Sequence, residues 1–147
     1  EPFQCGDVTV QTIRQPHHGD SYGYRFEHDK KAVVYSTDAE HKLESETETA
    51  EFVSFFKAAD LVIFDAMYTM ADMISVKEDW GHSSNIIGVD LCHRAGVKHY
   101  CMFHHEPVFG DKALTDILVE TIRYEEIIRD GNELKVSSAY DGLEIVI

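Results

Sequence analysis

Positive charge is scarce in this sequence. Against 27 Asp and Glu stand only 13 Lys and Arg, a formal net charge of −14, and the bases form no Lys/Arg-rich run. A surface that grips a phosphate backbone needs clustered cations, so a nucleic-acid partner is disfavoured. The acidity itself proposes little, because it also serves solubility. Cysteine is sparse too. Cys5, Cys92 and Cys101 are too few and too scattered for a disulfide framework or a CxxC metal knuckle, and they read as packing residues in a reducing compartment, the cytoplasm. No apolar run approaches the roughly 20 residues of a membrane-spanning helix, and no signal peptide is visible. Repeats, linkers and low-complexity tracts are absent as well. The chain opens on Glu1 rather than Met, as a processed product or a piece of a longer chain would.

What is present suits one domain. The length of 147 residues, with 44% apolar and 11% aromatic residues, is enough for a core. "DVTVQTIRQ" (7–15) and "YGYRFEH" (22–28) alternate polar and apolar residues and are joined by "PHHGDS", and "KAVVYST" (31–37) has a continuous apolar centre. The three predict an antiparallel meander running inward. The period then changes. "ESETETAEFVSFFKAAD" (44–60) opens with acids at the positive end of a helix and repeats Ala50, Val53 and Phe56 at helical spacing. "LVIFD" (61–65) predicts a buried strand, "SSNIIGVDLCHRAG" (83–96) a helix closed by Gly96, and "KHYCMF" (98–103) another strand. A long helix follows over 111–131, with Leu114, Ile117, Leu118 and Ile122 on one stripe, then two strands, "ELKVSS" and "LEIVI". The whole is an α/β (α+β) chain: a mixed sheet with helices packed on it.

Three predicted strands finish in a ligand or an acid: Asp38 after "VVYST", Asp65 at the end of "LVIF", and His104 after "YCMF". His82 stands in the loop "WGHSS" before a helix. Neighbouring parallel strands gather their carboxyl ends at one edge, the usual place for a cleft. Asp and His together suit zinc, manganese or iron, and a bridging carboxylate suits a pair of ions about 3.5–4 Å apart. Taken singly, each residue has an ordinary reading. Asp38 caps a loop, Asp65 sits in a turn, His82 bonds a backbone carbonyl. The adjacent His104 and His105 cannot both face inward if the strand continues through them, because side chains alternate along a strand.

"VVYSTDAE", "LVIFDAMYT", "WGHSS" and "CMFHHEP", in this order and spacing, resemble the C-terminal half of the metallo-β-lactamase superfamily, on the branch of RNase Z-like phosphodiesterases. "SYGYRFE", preceded by His17, is similar to that branch as well. The likeness covers nearly the whole chain. It implies a four-layer αβ/βα sandwich with two divalent metal ions, zinc first and manganese or iron next, on its edge. Asp38 then matches the bridging ligand and His104 the late ligand histidine. His82 matches a catalytic histidine oriented by Asp65, and His17 and His105 are substrate-contacting residues of the cleft. The implied activity is hydrolysis, in the first place of a phosphodiester through a metal-bound hydroxide. Small phosphodiesters such as cyclic nucleotides suit the acidic surface better than tRNA, and a lactam or thioester stays open.

One departure stands beside the likeness. The family's HxHxDH motif should precede Asp38, and the sequence contains none. Residues 1–147 are therefore expected to be the C-terminal half of the domain. The N-terminal half is then the expected partner, with self-association through the uncovered sheet as the alternative. A non-catalytic module that keeps the fold and binds a nucleotide or a protein is the second functional expectation.

Overall fold

A computed structural model describes residues 1–43, 45–69 and 81–147. Seven strands form one sheet in chain order: β1 (Phe3–Cys5), β2 (Val8–Gln15), β3 (Ser21–His28), β4 (Lys31–Ser36), β5 (Leu61–Asp65), β6 (His99–Phe103) and β7 (Lys135–Ser138). The first four pair antiparallel, as the meander predicts. From β4 onward every pairing is parallel, because each return passes through a helix. These helices are α1 (Glu46–Phe56), α2 (Asn85–Ala95) and α3 (Asp111–Ile128).

Local chemistry sets the helix ends. Ser45 accepts the Glu48 N–H at α1, and Ser84 accepts that of Ile87 at α2. Gly96 closes α2 at φ +66°, returning its N–H to the Cys92 and His93 carbonyls. One contact between layers is very close. A Cβ added at Gly88 of α2 would lie 2.5 Å from the Tyr100 ring and hydroxyl, so only glycine lets this helix settle on β6.

The helices cover one face of the sheet. Val34, Val62, Phe64, Tyr100 and Met102 project there and pack with Phe52, Phe56, Val89, Leu91, Cys92 and Ile117. The opposite face is open in its middle. Tyr24, Phe26 and Phe103 are all more than a third exposed, and Val33, Tyr35 and Ile63 are half-buried. The chain is thus a partial fold, one sheet and its helices.

Several expectations need correction. The chain gains β1, too short to show a pattern, and lacks a strand over 143–147. There Gly142 turns at φ +85°, Leu143 donates back to the Tyr140 carbonyl, and Val146 ends almost fully exposed. In α1 the inward stripe is Thr49, Phe52 and Phe56, while Ala50 faces solvent. The expected start of that helix, Glu44, lies outside the described residues. Helix α3 stops at Ile128 rather than 131. Cys92 and Cys101 are packing residues, but Cys5 is exposed.

Candidate metal centre

Strands β4, β5 and β6 are parallel neighbours, so Asp38, Asp65 and His104 meet at one sheet edge. Asp65 closes β5 and is fully buried. Asp38 and His104 lie just past their strands in left-handed backbone, at φ +56° and +58°. That conformation costs a residue other than glycine about 1–2 kcal/mol, so its surroundings must hold it. For Asp38 the holder is Asp65. Its Oδ2 accepts the N–H of Asp38 at 2.9 Å and of Ala39 at 3.4 Å, and its Oδ1 accepts that of Met67 at 3.1 Å. The strand's alternation therefore ends before the two histidines. Phe103 is the last β6 residue and His104 turns the chain.

Asp65 Oδ2 also accepts the Nδ1–H of His82 at 2.8 Å. This leaves His82 Nε2 as the nitrogen free for chemistry. The hydrogen bond to Asp65, assisted by the negative field of Asp65, Asp38 and Glu40, holds the His82 imidazole above its usual pKa against a desolvation cost. The His82 ring stacks on His104 with centroids 4.8 Å apart and meets His17 edge-on at 5.6 Å.

The donor atoms suit a cation. His17, Asp38 and His82 form one group, and Asp65, His82 and His104 another, with donor atoms within 4.8 Å of one another in each. His104 Nε2 lies 3.4 Å from Asp38 Oδ1, and its buried Nδ1 has no hydrogen-bond partner among the described residues. His17 Nδ1 accepts the Gly19 N–H at 3.1 Å, which leaves its Nε2 available. Asp65 is already filled by four N–H donors, so it orients rather than ligates. Each group shares His82, whose Nδ1 is held by Asp65, so the donors left for an ion are Asp38 with His17 in one group and His104 in the other, His104 Nε2 standing 3.4 Å from Asp38. Imidazole and carboxylate are donors that divalent transition metals accept.

The structure brings the expected site residues together with one exception and one change. His105, expected to contact substrate, turns its Nε2 to the Ser138 hydroxyl at 2.9 Å, and burial lowers its pKa. It ties the end of β6 to β7. His17, expected only as a cleft contact, stands among the ligand candidates. Beside the cluster a cleft of about 240 Å³ is lined by His17, His18, Glu40, Lys42, Glu48 and Gly81. Sequence reading missed Glu40 and Ser83, which join the Asp38 and His82 segments. Their positions, Glu40 two residues after Asp38 and Ser83 next to His82, were the available signal. It also missed His41, buried between Phe52 and Phe64 at ring distances of 4.2 and 5.3 Å.

Comparison with known proteins identifies the family. The profile described as "Beta-lactamase superfamily domain" matches residues 2–105. The chain belongs to the metallo-β-lactamase superfamily. Among solved structures it resembles the metallo-β-lactamase fold protein YhfI from Bacillus subtilis, at TM-score 0.76 and 17% identity, covering 97% of this chain and 51% of that one. It also resembles the short form of human tRNase Z, at TM-score 0.66 and 20% identity, covering 99% of this chain and 45% of that one. A diphosphatase of the PhnP family gives TM-score 0.60 and 17% identity, covering 100% of this chain and 46% of that one. At these identities the likeness shows the fold. The chain spans about half the length of these neighbours, and no curated protein matches the sequence. The superfamily contains hydrolases and typically binds divalent metals. Among the described residues no helix is long and apolar enough to cross a membrane.

Proposed function

We propose that this superfamily member is the C-terminal half of a cytoplasmic, metal-dependent hydrolase acting on small phosphodiesters. The observation that carries the reading is the Asp65–His82 pair, 2.8 Å apart and set against the His17, Asp38 and His104 donors. Asp38 and His104 would hold metal together with ligands from an N-terminal half, two divalent ions with zinc in the first place. When bound, such ions supply Lewis acidity to the phosphoryl oxygens and lower the pKa of nearby water.

The chain's own residues supply orientation and a proton. Asp65 accepts the Nδ1–H of His82, so Nε2 is the nitrogen that exchanges a proton, and it carries one when the ring is the imidazolium. A water oxygen bonds to phosphorus and releases a proton to solvent while the bond to the leaving oxygen breaks, and His82 Nε2–H donates to that oxygen and is then reprotonated from solvent. The hydrogen bond to Asp65, which raises the basicity of His82, favours this protonated form. A net charge of −14 repels polyanions and favours small substrates such as cyclic nucleotides over RNA. The remaining ligands would come from an N-terminal half seated on the open sheet face, consistent with a chain that spans half of its neighbours' length.

The test uses the full-length protein with its N-terminal half. His104→Ala should lower both metal content and hydrolysis of bis(p-nitrophenyl) phosphate. His82→Ala should keep the metal and slow turnover of a poor-leaving-group diester by about 10²–10⁴-fold. Absence of bound metal at neutral pH would leave a non-catalytic binding module instead, and loss of metal in His82→Ala would reverse the two histidine roles.

A further inference from the structure

The segment after β4 and the loop that carries His82 are stitched together by side chains outside the metal cluster. Glu40 Oε2 accepts the Gly81 N–H at 2.9 Å. Ser83 Oγ donates to the Ala39 carbonyl at 2.6 Å and accepts the His41 N–H at 3.1 Å. Ser83 is fully buried, and Glu40 is only 8% exposed. These bonds bracket His82, one residue away on each side.

Gly81 is the tight point of this arrangement. Its φ is +88°, and an added Cβ would stand 2.8 Å from His17 Cδ2. The Gly81 peptide therefore lies between the Glu40 carboxylate, which holds its N–H, and the His17 ring, which allows it no side chain. Displacing Gly81 would move His82 away from Asp65 and would free the His17 edge. One buried acid thus holds the peptide that stands next to His17 and precedes His82.

We infer that Glu40 is a positioning residue: its carboxylate fixes the Gly81 peptide so that His82 Nε2 is aimed at the leaving oxygen. The inference rests on the proposed hydrolase reading, in which His82 protonates that oxygen. A carboxylate that merely stabilised the fold would affect all substrates alike. A residue that aims the acid matters only when the leaving group needs a proton.

The experiment compares two diesters in the full-length, metal-loaded protein, one releasing p-nitrophenolate and one releasing an alkyl alcohol. Glu40→Ala should lower kcat for the alkyl substrate roughly 10²-fold, the scale of a misplacement of about 1 Å. KM, metal content and the p-nitrophenyl rate should stay close to wild type. Glu40→Gln keeps an acceptor oxygen and should recover most of the alkyl rate. Should Glu40→Ala fold poorly, Glu40→Asp reads the same point, because its shorter side chain withdraws the carboxylate from the Gly81 N–H, and it should give the same split between substrates. Equal loss on both substrates, or no rescue by glutamine, overturns the positioning role. His82→Ala serves as the reference. A substrate split in His82→Ala without one in Glu40→Ala refutes this inference alone, and no split in His82→Ala refutes the hydrolase reading beneath it.

Discussion

Replacing Asp65 by Asn tests how much of the site hangs on one carboxylate. Four N–H groups converge on it: those of Asp38, Ala39 and His82 on Oδ2, and that of Met67 on Oδ1. Asparagine offers one acceptor oxygen. Its better orientation keeps that oxygen toward the three donors and turns the amide nitrogen against the Met67 N–H. A buried donor left unsatisfied costs about 1–3 kcal/mol. The three kept bonds weaken as well, since a hydrogen bond to a charged group contributes about 1.5–3 kcal/mol and a neutral one about 0.5–1.5. The left-handed Asp38 loses its charged anchor at the same time. The expected destabilisation is about 3 kcal/mol, which for a domain of this size lowers Tm by roughly 6–12 °C. Urea unfolding of metal-free wild type and variant at pH 7 measures it. A loss under about 1 kcal/mol, with the His82 environment unchanged by NMR, would refute the claim that Asp65 organises both the Asp38 turn and His82.

Two further outcomes are expected. His41 is buried, its Nε2 has no partner among the described residues, and desolvation pushes its pKa from 6.5 down to about 3. Between those values the unfolded chain binds a proton that the folded chain refuses. Stability should therefore fall as pH drops below 6.5, on the order of 1 kcal/mol per pH unit. His41→Phe should flatten that limb of the urea midpoint between pH 6.5 and 4.5, and parallel curves would refute the assignment. The open sheet face exposes Tyr24, Phe26 and Phe103 together. The isolated chain should self-associate or bind a dye for apolar surface, and adding the N-terminal half should abolish both. A dye-negative monomer by light scattering would contradict the half-sandwich reading.

Sequence alone determined the order of elements from β2 to β7 and the sheet edge at which Asp38, Asp65 and His104 meet. Alternating residues in 7–37, the change to helical spacing after Glu46, and Gly96 closing a helix are local signals, and local backbone preferences enforce them. Asp38, Asp65 and His104 were legible as a set because parallel strands must bring their carboxyl ends together. What could not be read were contacts closed over long separations. Glu40 meets Gly81 across 41 positions and Ser83 meets Ala39 across 44, and no periodicity encodes such a meeting. The same holds for His104 and His105. Strand alternation set them on opposite faces, but a left-handed turn at His104 ended the strand first. Tertiary structure alone decided that His105 binds Ser138, that His17 stands with the ligand candidates, and that His41 is buried between two rings. Each depends on which side chains the folded sheet and helices bring within a few ångströms, a distance that pattern along the chain does not measure.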